Sequence, residues 1–228
     1  MATKYYNECN NDQWIVECVF PDKQNGYFLE AGAANGIGGS SCYVLEKELN
    51  WTGICVEPNE KFYEQLVKNR PNSICEQVCL HYQTGEVTYV EGGDDSISPY
   101  LGGIKISLER MASNPQVGQS VIERTKEVLT KGKSVTRNSM TLEDLLDKHN
   151  APQVIDYAAF DIEGSELNAL SIFPFEKYRF LALTLETSIA NHPILKELLT
   201  VNGYREVQNP FNPNRPWEKY YLNEFLVA

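Results

Sequence analysis

The chain has 228 residues, of which 42% are hydrophobic and 22% charged, and a formal net charge of -11 at pH 7. A domain of this length can bury most of the apolar surface of its unfolded chain, so we expect a single domain over residues 1–228. No apolar run approaches the roughly 20 residues that span a bilayer, and the polar N-terminus lacks the features of a secretory signal. We therefore expect a soluble, cytoplasmic protein without membrane insertion. The negative charge opposes a nucleic-acid partner, because such binding depends on Lys and Arg. Composition leaves the oligomeric state open.

Apolar runs bounded by turn residues alternate with amphipathic stretches, which is the pattern of βαβ units in a mostly parallel sheet. Strands are predicted at residues 27–31, 53–56, 73–80, 155–160, 180–185, 204–208 and 219–222, the third continuing into a hairpin with residues 86–90. Helices are predicted at residues 12–20, 41–50, 59–69, 141–149, 165–172 and 193–203. Right-handed crossovers arrange elements in this order as a three-layer αβα sandwich.

Local signals place several helix ends. Asn59 and Thr141 are predicted N-caps, and either Ser40 or Ser41 can cap the helix that follows the first strand. Pro193 fits the first turn of the helix that precedes the last two strands.

Residues 91–137 are the least regular part of the chain and are interpreted as an insertion or lid. They begin with a glycine-rich, acidic stretch at residues 91–96, which is a candidate for polar contacts to a ligand. A helical pattern follows around residues 121–129.

Acidic residues stand at the carboxyl ends of three predicted strands: Glu30, Glu57 and Asp161. Open α/β sheets bind their ligands at that edge. Between the first two lies a glycine-rich loop, residues 32–39, whose missing side chains allow close approach to a ligand and positive φ angles. The pattern indicates a nucleotide-type site.

The loop spacing disfavours the common phosphate binders. A dinucleotide fingerprint would read G-x-G-x-x-G, but Ser41 occupies the third glycine position, and no Gly-Lys-Ser/Thr of a P-loop occurs. An adenosine without phosphates, carrying a positive sulfonium and an ammonium, needs neither of these phosphate-binding motifs. The acidic chain also favours a cationic ligand. S-adenosylmethionine (SAM) is such a ligand.

Glu57 is then expected to accept hydrogen bonds from both ribose hydroxyls, with Pro58 bordering the adenine. Glu30 would steady the glycine loop, and the backbone around Gly32 would pack against the methionine moiety. The complete predicted cofactor-binding set is Glu30, Gly32, Ala33, Asn35, Gly36, Glu57, Pro58 and Asp161.

Four segments together resemble the FkbM family of methyltransferases: residues 27–36 (YFLEAGAANG), 53–59 (GICVEPN), 141–142 (TL) and 155–166 (IDYAAFDIEGSE). The resemblance implies a class I methyltransferase fold, a Rossmann-like αβα sandwich with a mostly parallel seven-stranded sheet and an antiparallel last strand. It also implies SAM as methyl donor and O-methylation of a hydroxyl on a sugar, glycan or similar polyhydroxylated acceptor.

Two schemes for removing the acceptor proton stay open. The candidate side-chain bases are Asp161, Glu163 and His192, with His192 preferred because imidazole titrates near neutrality. In the second scheme Asp161 and Glu186 hold a divalent cation, Mg²⁺ or Ca²⁺, which lowers the pKa of the acceptor oxygen.

Two other functions compete with the methyltransferase. One is a nicotinamide-dependent oxidoreductase on a Rossmann fold, which the broken fingerprint disfavours. The other is a non-catalytic module that binds SAM without turnover.

Overall fold

The computed structural model describes residues 3–92, 98 and 100–227. Its strands are β1 (Tyr27–Ala31), β2 (Thr52–Val56), β3 (Ile74–Glu76), β4 (Cys79–Leu80), β5 (Gly85–Glu91), β6 (Gly102–Ile104), β7 (Lys133–Met140), β8 (Val154–Phe160), β9 (Arg179–Glu186), β10 (Tyr204–Val207) and β11 (Glu218–Asn223). Its helices are α1 (Asn11–Trp14), which continues as a π-helical segment (Ile15–Val19), α2 (Tyr43–Leu49), α3 (Glu60–Asn69), α4 (Lys105–Ser113), α5 (Gln119–Lys131), α6 (Leu142–Lys148), α7 (Glu166–Leu170), α8 (His192–Val201) and α9 (Glu224–Val227). Within these described ranges, no helix is long and apolar enough to cross a membrane.

The main sheet has seven strands in the order β10-β11-β9-β8-β1-β2-β3. Strands β9, β8, β1, β2 and β3 are parallel, and β11 runs antiparallel to both β9 and β10. Ala31 lies level with Val56 of β2 and with Phe160 of β8. The residues that follow these three strands therefore meet at one edge of the sheet, as predicted.

Successive side chains of the central strands pack alternately into two hydrophobic cores, one on each face of the main sheet. Leu29 and Ala31 pack with α6, α7 and α8, whereas Phe28 packs with α1 and α2 on the opposite face. This period of two is what a strand buried on both faces requires. The three-layer αβα sandwich of a class I methyltransferase is confirmed.

The prediction of one strand over residues 73–80 is wrong. The chain leaves the main sheet after β3, and β4 pairs with β7 in a second sheet of order β4-β7-β5-β6. The predicted hairpin partner, β5, likewise pairs with β6 and β7 rather than with β3. β7 escaped prediction because its sequence, KSVTRNSM, has no apolar run and lies mostly exposed.

The 91–137 segment contains β6, α4, α5 and the first residues of β7. Its predicted helix is present as α5, while α4 was missed. Leu108 and Val128 form a small apolar cluster with Val90 of β5. Ser165 Oγ donates to Ser107 Oγ at 2.9 Å, which connects the loop after β8 to α4.

The predicted N-caps Asn59 and Thr141 are confirmed, whereas the predicted cap of α2 at Ser40 or Ser41 is wrong, because Cys42 is the residue that precedes this helix. Asn59 Oδ1 accepts from the backbone N–H of Lys61 at 3.0 Å, and Thr141 Oγ1 accepts from Asp144 N at 3.0 Å. Pro193 stands in the first turn of α8. These local bonds fix where each helix starts relative to the strand before it.

A buried ion network joins β1, α2 and α3. Arg70, which follows α3 and is 0% exposed, donates from Nη1 to Glu30 Oε2 at 2.8 Å and from Nε to Glu46 Oε2 at 2.6 Å. Glu30 also accepts from the backbone N–H groups of Ser41 at 2.6 Å and Cys42 at 3.2 Å. The end of the glycine loop is therefore attached to the core through two carboxylates and one guanidinium.

Replacing Arg70 by Met should destabilise the fold strongly, because Glu30 and Glu46 would stay buried without their cation. We expect the free energy of unfolding to fall by about 3–5 kcal/mol, measured by urea denaturation at pH 7. Lys68→Met, at an exposed position of α3, is the matched control and should change it by less than about 0.5 kcal/mol. A loss in Arg70→Met no larger than in the control would show that the network contributes nothing.

Candidate active site

A cavity of about 530 Å³ lies at the carboxyl edge of the main sheet. Its floor is formed by the residues that follow β1, β2, β8 and β9, and its walls by β5, the segment leading into β6, and α5. Of the predicted cofactor-binding residues, the ones that line it are Gly32, Ala33, Glu57, Pro58 and Asp161. The strand order places Glu57 on one side of Gly32 and Asp161 on the other.

Glu57 is held rigidly at the end of β2. Its carboxylate accepts from Ala34 N and from Asn59 N, each at 2.8 Å, and the residue is only 6% exposed. Burial raises the pKa of Glu57 to about 7, against the two amide bonds that lower it. Each carboxylate oxygen has one amide partner, so lone pairs remain for donors from a ligand. Beside it, Arg137 Nε donates to the carbonyl of Pro58 at 2.8 Å.

The glycine loop approaches the cavity with its backbone. Gly32 has φ +85°, and a Cβ there would lie 1.8 Å from the carbonyl oxygen of Asp161, so no other residue fits. The N–H groups of Gly32 and Ala33 both donate to Val56 O at 3.0 Å, which joins the loop to β2. Ala34 also has a positive φ, 46°. The positive φ angles that the sequence predicted for this loop are present.

Three predicted cofactor residues do not line the cavity: Glu30, Asn35 and Gly36. Glu30 is 3% exposed and belongs to the Arg70 network. Asn35 Oδ1 accepts from Ile37 N and Gly38 N, both at 3.0 Å, and Gly36 turns the chain with φ +80°. All three shape the loop, which for Glu30 is the steadying role expected of it.

Three carboxyl groups line the cavity beyond Gly32: Asp161, Glu163 and Glu186. The Asp161 side chain is accessible from the cavity, yet protein surrounds it. Burial, followed by the charge of Glu186 and a hydrogen bond to it, raises the pKa of Asp161 well above its ordinary value. The raised pKa favours the protonated form of Asp161. Burial and the Glu186 charge raise the pKa of Glu163 to about 7, opposed by the positive charge of Arg124.

Glu163 has a strained backbone. Its φ is 52°, in the left-handed region that non-glycine residues seldom occupy, and Gly164 follows with φ +87°. Such conformations persist where surrounding contacts impose them, and they concentrate at functional sites. Here Glu166, at the start of α7, accepts from Ile162 N at 3.0 Å and Gly164 N at 3.3 Å and so fixes the turn.

His192 is separated from this group. It begins α8, and its Nε2 lies 3.3 Å from Glu206 Oε2 on β10, the outermost strand of the sheet. It does not line the cavity. The sequence analysis preferred it as a base because imidazole titrates near neutrality, but its ring lies beside Glu206 of β10 and not beside Asp161, which follows β8.

The metal scheme lacks a ligand set. In the described parts of the chain, no group of three or more His, Cys, Asp or Glu side chains is arranged to hold a metal ion. Asp161 and Glu186, the proposed ligands, are hydrogen-bonded to each other. Of the acidic stretch at residues 91–96, Glu91 pairs with Arg137 at 2.5 Å, and residues 93–96 lie outside the described residues.

Two charged cavity residues were missed by sequence reasoning: Glu8, which precedes α1, and Arg124 on α5. Neither belongs to a motif, and both are brought to the cavity by tertiary packing. No motif or spacing in the sequence marks these two residues as part of the site. Arg124 is the one Lys, Arg or His among the described residues that line the cavity.

The buried carboxyls should make the free protein more stable in mild acid. Burial raises the pKa of Glu57 and Glu163 to about 7 and of Glu166 and Glu218 to about 8, against 4.5 ordinarily. Between pH 8 and 5 the folded state therefore binds more protons than the unfolded state, and stability rises as pH falls. We expect a gain of at least about 1 kcal/mol from pH 8 to pH 5.5 in urea denaturation.

Glu218→Gln should reduce that gain, because its neutral side chain needs no proton, whereas the exposed Glu176→Gln should leave it unchanged. Stability that is constant, or that rises with pH over this window, would contradict the pKa directions.

Known proteins that are similar to this chain include methyltransferases. The model of the Methyltransferase FkbM domain matches residues 30–206, which is more than half of the chain. No curated protein sequence matches. Similar solved structures include a putative rRNA methylase from Clostridium thermocellum, at 10% identity and TM-score 0.46, covering 96% of both chains. A methyltransferase from Pyrococcus furiosus has 13% identity and TM-score 0.44, covering 96% of this chain and 86% of that one.

Precorrin-6y C5,15-methyltransferase from Geobacter metallireducens has 10% identity and TM-score 0.41, covering 88% of this chain and 80% of that one. The family match decides for the methyltransferase over the nicotinamide-dependent alternative. The chain belongs to the FkbM family and is a SAM-dependent methyltransferase.

Proposed function

We propose that this methyltransferase modifies a hydroxyl group of a sugar, glycan or similar polyhydroxylated acceptor. The observation that carries the proposal is the group of three cavity carboxyls, Asp161, Glu163 and Glu186, on the opposite side of Gly32 from Glu57. Carboxyl groups accept and donate hydrogen bonds to hydroxyls, and one near neutral pKa can take a proton from them.

The residues on the Glu57 side fit SAM. The free lone pairs of Glu57 suit two ribose hydroxyls, and Pro58 with Phe62 offers an apolar wall for adenine. Gly32, where any Cβ would meet Asp161 O, leaves room for backbone contact with the methionine moiety. When bound, the cofactor supplies a methyl group activated by a positive sulfur. The cavity carboxyls favour that charge.

On the other side, we assign Glu163 as the base. Its pKa of about 7 suits proton transfer near neutral pH, whereas the pKa of Asp161 is raised well above its ordinary value, which favours its protonated form. In this scheme the Asp161–Glu186 pair orients acceptor hydroxyls and Glu163 takes the proton of the reacting one. The strained φ of Glu163 holds its side chain at the cavity.

The 91–137 segment serves as the lid of this site. The apolar cluster of Leu108, Val128 and Val90 packs this segment against β5. The hydrogen bond between Ser165 and Ser107 holds it over the loop after β8. Arg124, from α5, brings a positive charge near Glu163 and favours its ionised form. The chain's charge of -11 and the acidic cavity disfavour a nucleic-acid acceptor.

Removing the Glu57 carboxylate should weaken cofactor binding. Glu57→Ala should lower the affinity for S-adenosylhomocysteine by about 1.5–3 kcal/mol, the contribution of hydrogen bonds to a charged acceptor. Isothermal titration calorimetry at pH 8, where Glu57 is ionised, measures the change. Glu64→Ala, at an exposed position of α3, is the matched control and should bind like the wild type. Equal affinity in Glu57→Ala would remove Glu57 from the cofactor site.

Glu163→Gln should lower kcat by about 10²–10⁴-fold, the usual contribution of a general base, while retaining affinity for S-adenosylhomocysteine. The assay follows transfer of a tritiated methyl group to a panel of glycans, sugars and small alcohols, and mass spectrometry identifies the O-methyl ether. Exposed Glu176→Gln is the control. Transfer only to nitrogen or carbon acceptors, or full activity of Glu163→Gln, would overturn the proposal.

A further inference from the structure

The N-terminal segment, residues 3–10, lies across the far end of the glycine loop. Asn7 Nδ2 donates to Gly39 O at 2.6 Å, and Gly39 N donates to Tyr6 O at 3.2 Å. Asp12 in turn accepts from Tyr6 N at 2.6 Å, which anchors the segment to α1. These residues precede the matched family region, which begins at residue 30, so the family assignment gives them no role.

This segment brings Glu8 to the cofactor cavity. Glu8 lines both the large cavity and a smaller one of about 60 Å³ beside it, which also contains Gly32 and Asp161. A Cβ on Gly39 would lie 3.3 Å from Glu8 Oε2, so the carboxylate stands directly against the loop backbone. Among the described residues, Glu8 has neither a hydrogen-bond partner nor a cation within ion-pair distance.

The other cavity carboxyls have neighbouring polar or charged groups and are assigned above to the ribose or to the acceptor. Glu57 accepts from two amides, and Asp161 shares a hydrogen bond with Glu186. Glu163 has the charge of Arg124 nearby. Among the described residues, Glu8 is therefore the cavity carboxylate that remains to pair with a second cation.

SAM has such a second cation. Besides the sulfonium it carries the α-ammonium at the end of its methionine moiety. If the ribose binds at Glu57, which bonds Ala34 at the start of the loop, a methionine moiety lying along the loop would point towards its far end at Gly39. Glu8 stands at that end.

We propose that the Glu8 carboxylate binds the α-ammonium group of the cofactor's methionine moiety, so that the N-terminal segment completes the cofactor site. The inference rests on the cofactor of the family and not on the acceptor proposed above. Glu8 thereby becomes a cofactor-binding residue outside the region that defines the family.

Two ligands isolate this contact by titration calorimetry of the full chain at pH 8. S-adenosylhomocysteine has the α-ammonium but no sulfonium, and 5′-methylthioadenosine lacks the amino-acid end altogether. Glu8→Gln should weaken S-adenosylhomocysteine about tenfold, since it removes one charge-assisted hydrogen bond, and should leave 5′-methylthioadenosine unchanged. Glu8→Lys should weaken S-adenosylhomocysteine further. Exposed Glu64→Gln is the control for net charge.

Two outcomes would refute the ammonium contact, and a third would challenge the cofactor assignment. Unchanged S-adenosylhomocysteine binding in Glu8→Gln would refute the ammonium contact. An equal loss for both ligands would mean that Glu8 acts through the loop structure, which also refutes it, while retained 5′-methylthioadenosine binding shows that the variant is folded. A wild type that binds neither ligand would instead challenge the cofactor assignment.

Discussion

The contact between Arg70 and Glu30 is the constraint on which the rest of the site depends. Glu30 belongs to β1 and holds the backbone at Ser41 and Cys42, while Arg70 connects it to α2 through Glu46. Burying such ions is expensive unless every charge is matched. The network therefore permits few arrangements of the glycine loop, and the loop is shaped before any cofactor arrives.

The carboxyls that line the cavity are also surrounded by protein, but among the described residues none of them forms a salt bridge. Burial raises the pKa of Glu57, Asp161 and Glu163, whereas Glu30 and Glu46 have Arg70. The same strand edge thus carries two kinds of acid: paired ones that hold the fold, and cavity ones that respond to ligands and protons. Perturbed acids of the second kind are what proton-transfer sites need.

Sequence reasoning reached the features that local chemistry determines. β1 was predicted to the residue because an apolar run ends at a glycine loop, and Asn59 and Thr141 could be recognised as caps from residue type and position. The carboxyl-edge residues followed from the rule for parallel sheets. The break between β3 and β4 could not be seen, because it depends on β7, which is distant in sequence.

The same limit applies to the site. His192 was preferred as a base because imidazole titrates near neutrality, yet the direction in which α8 leaves β9 decides its neighbours. Glu8 and Arg124 reach the cavity only through contacts between segments far apart in the chain. Chemistry-bearing residues in motifs were therefore predictable, and those supplied by packing were not.

The position of β11 has a consequence for how the chain folds during synthesis. It lies between β9 and β10, and β10 has no other partner in the sheet. Glu218 on β11 also accepts from Asn11 Nδ2 at 2.7 Å, and the Tyr220 hydroxyl donates to Cys9 O at 3.2 Å. These contacts of Asn11 and Cys9 can therefore form only after β11 has been synthesised, and until then neither β9 nor β10 has the neighbour that β11 provides.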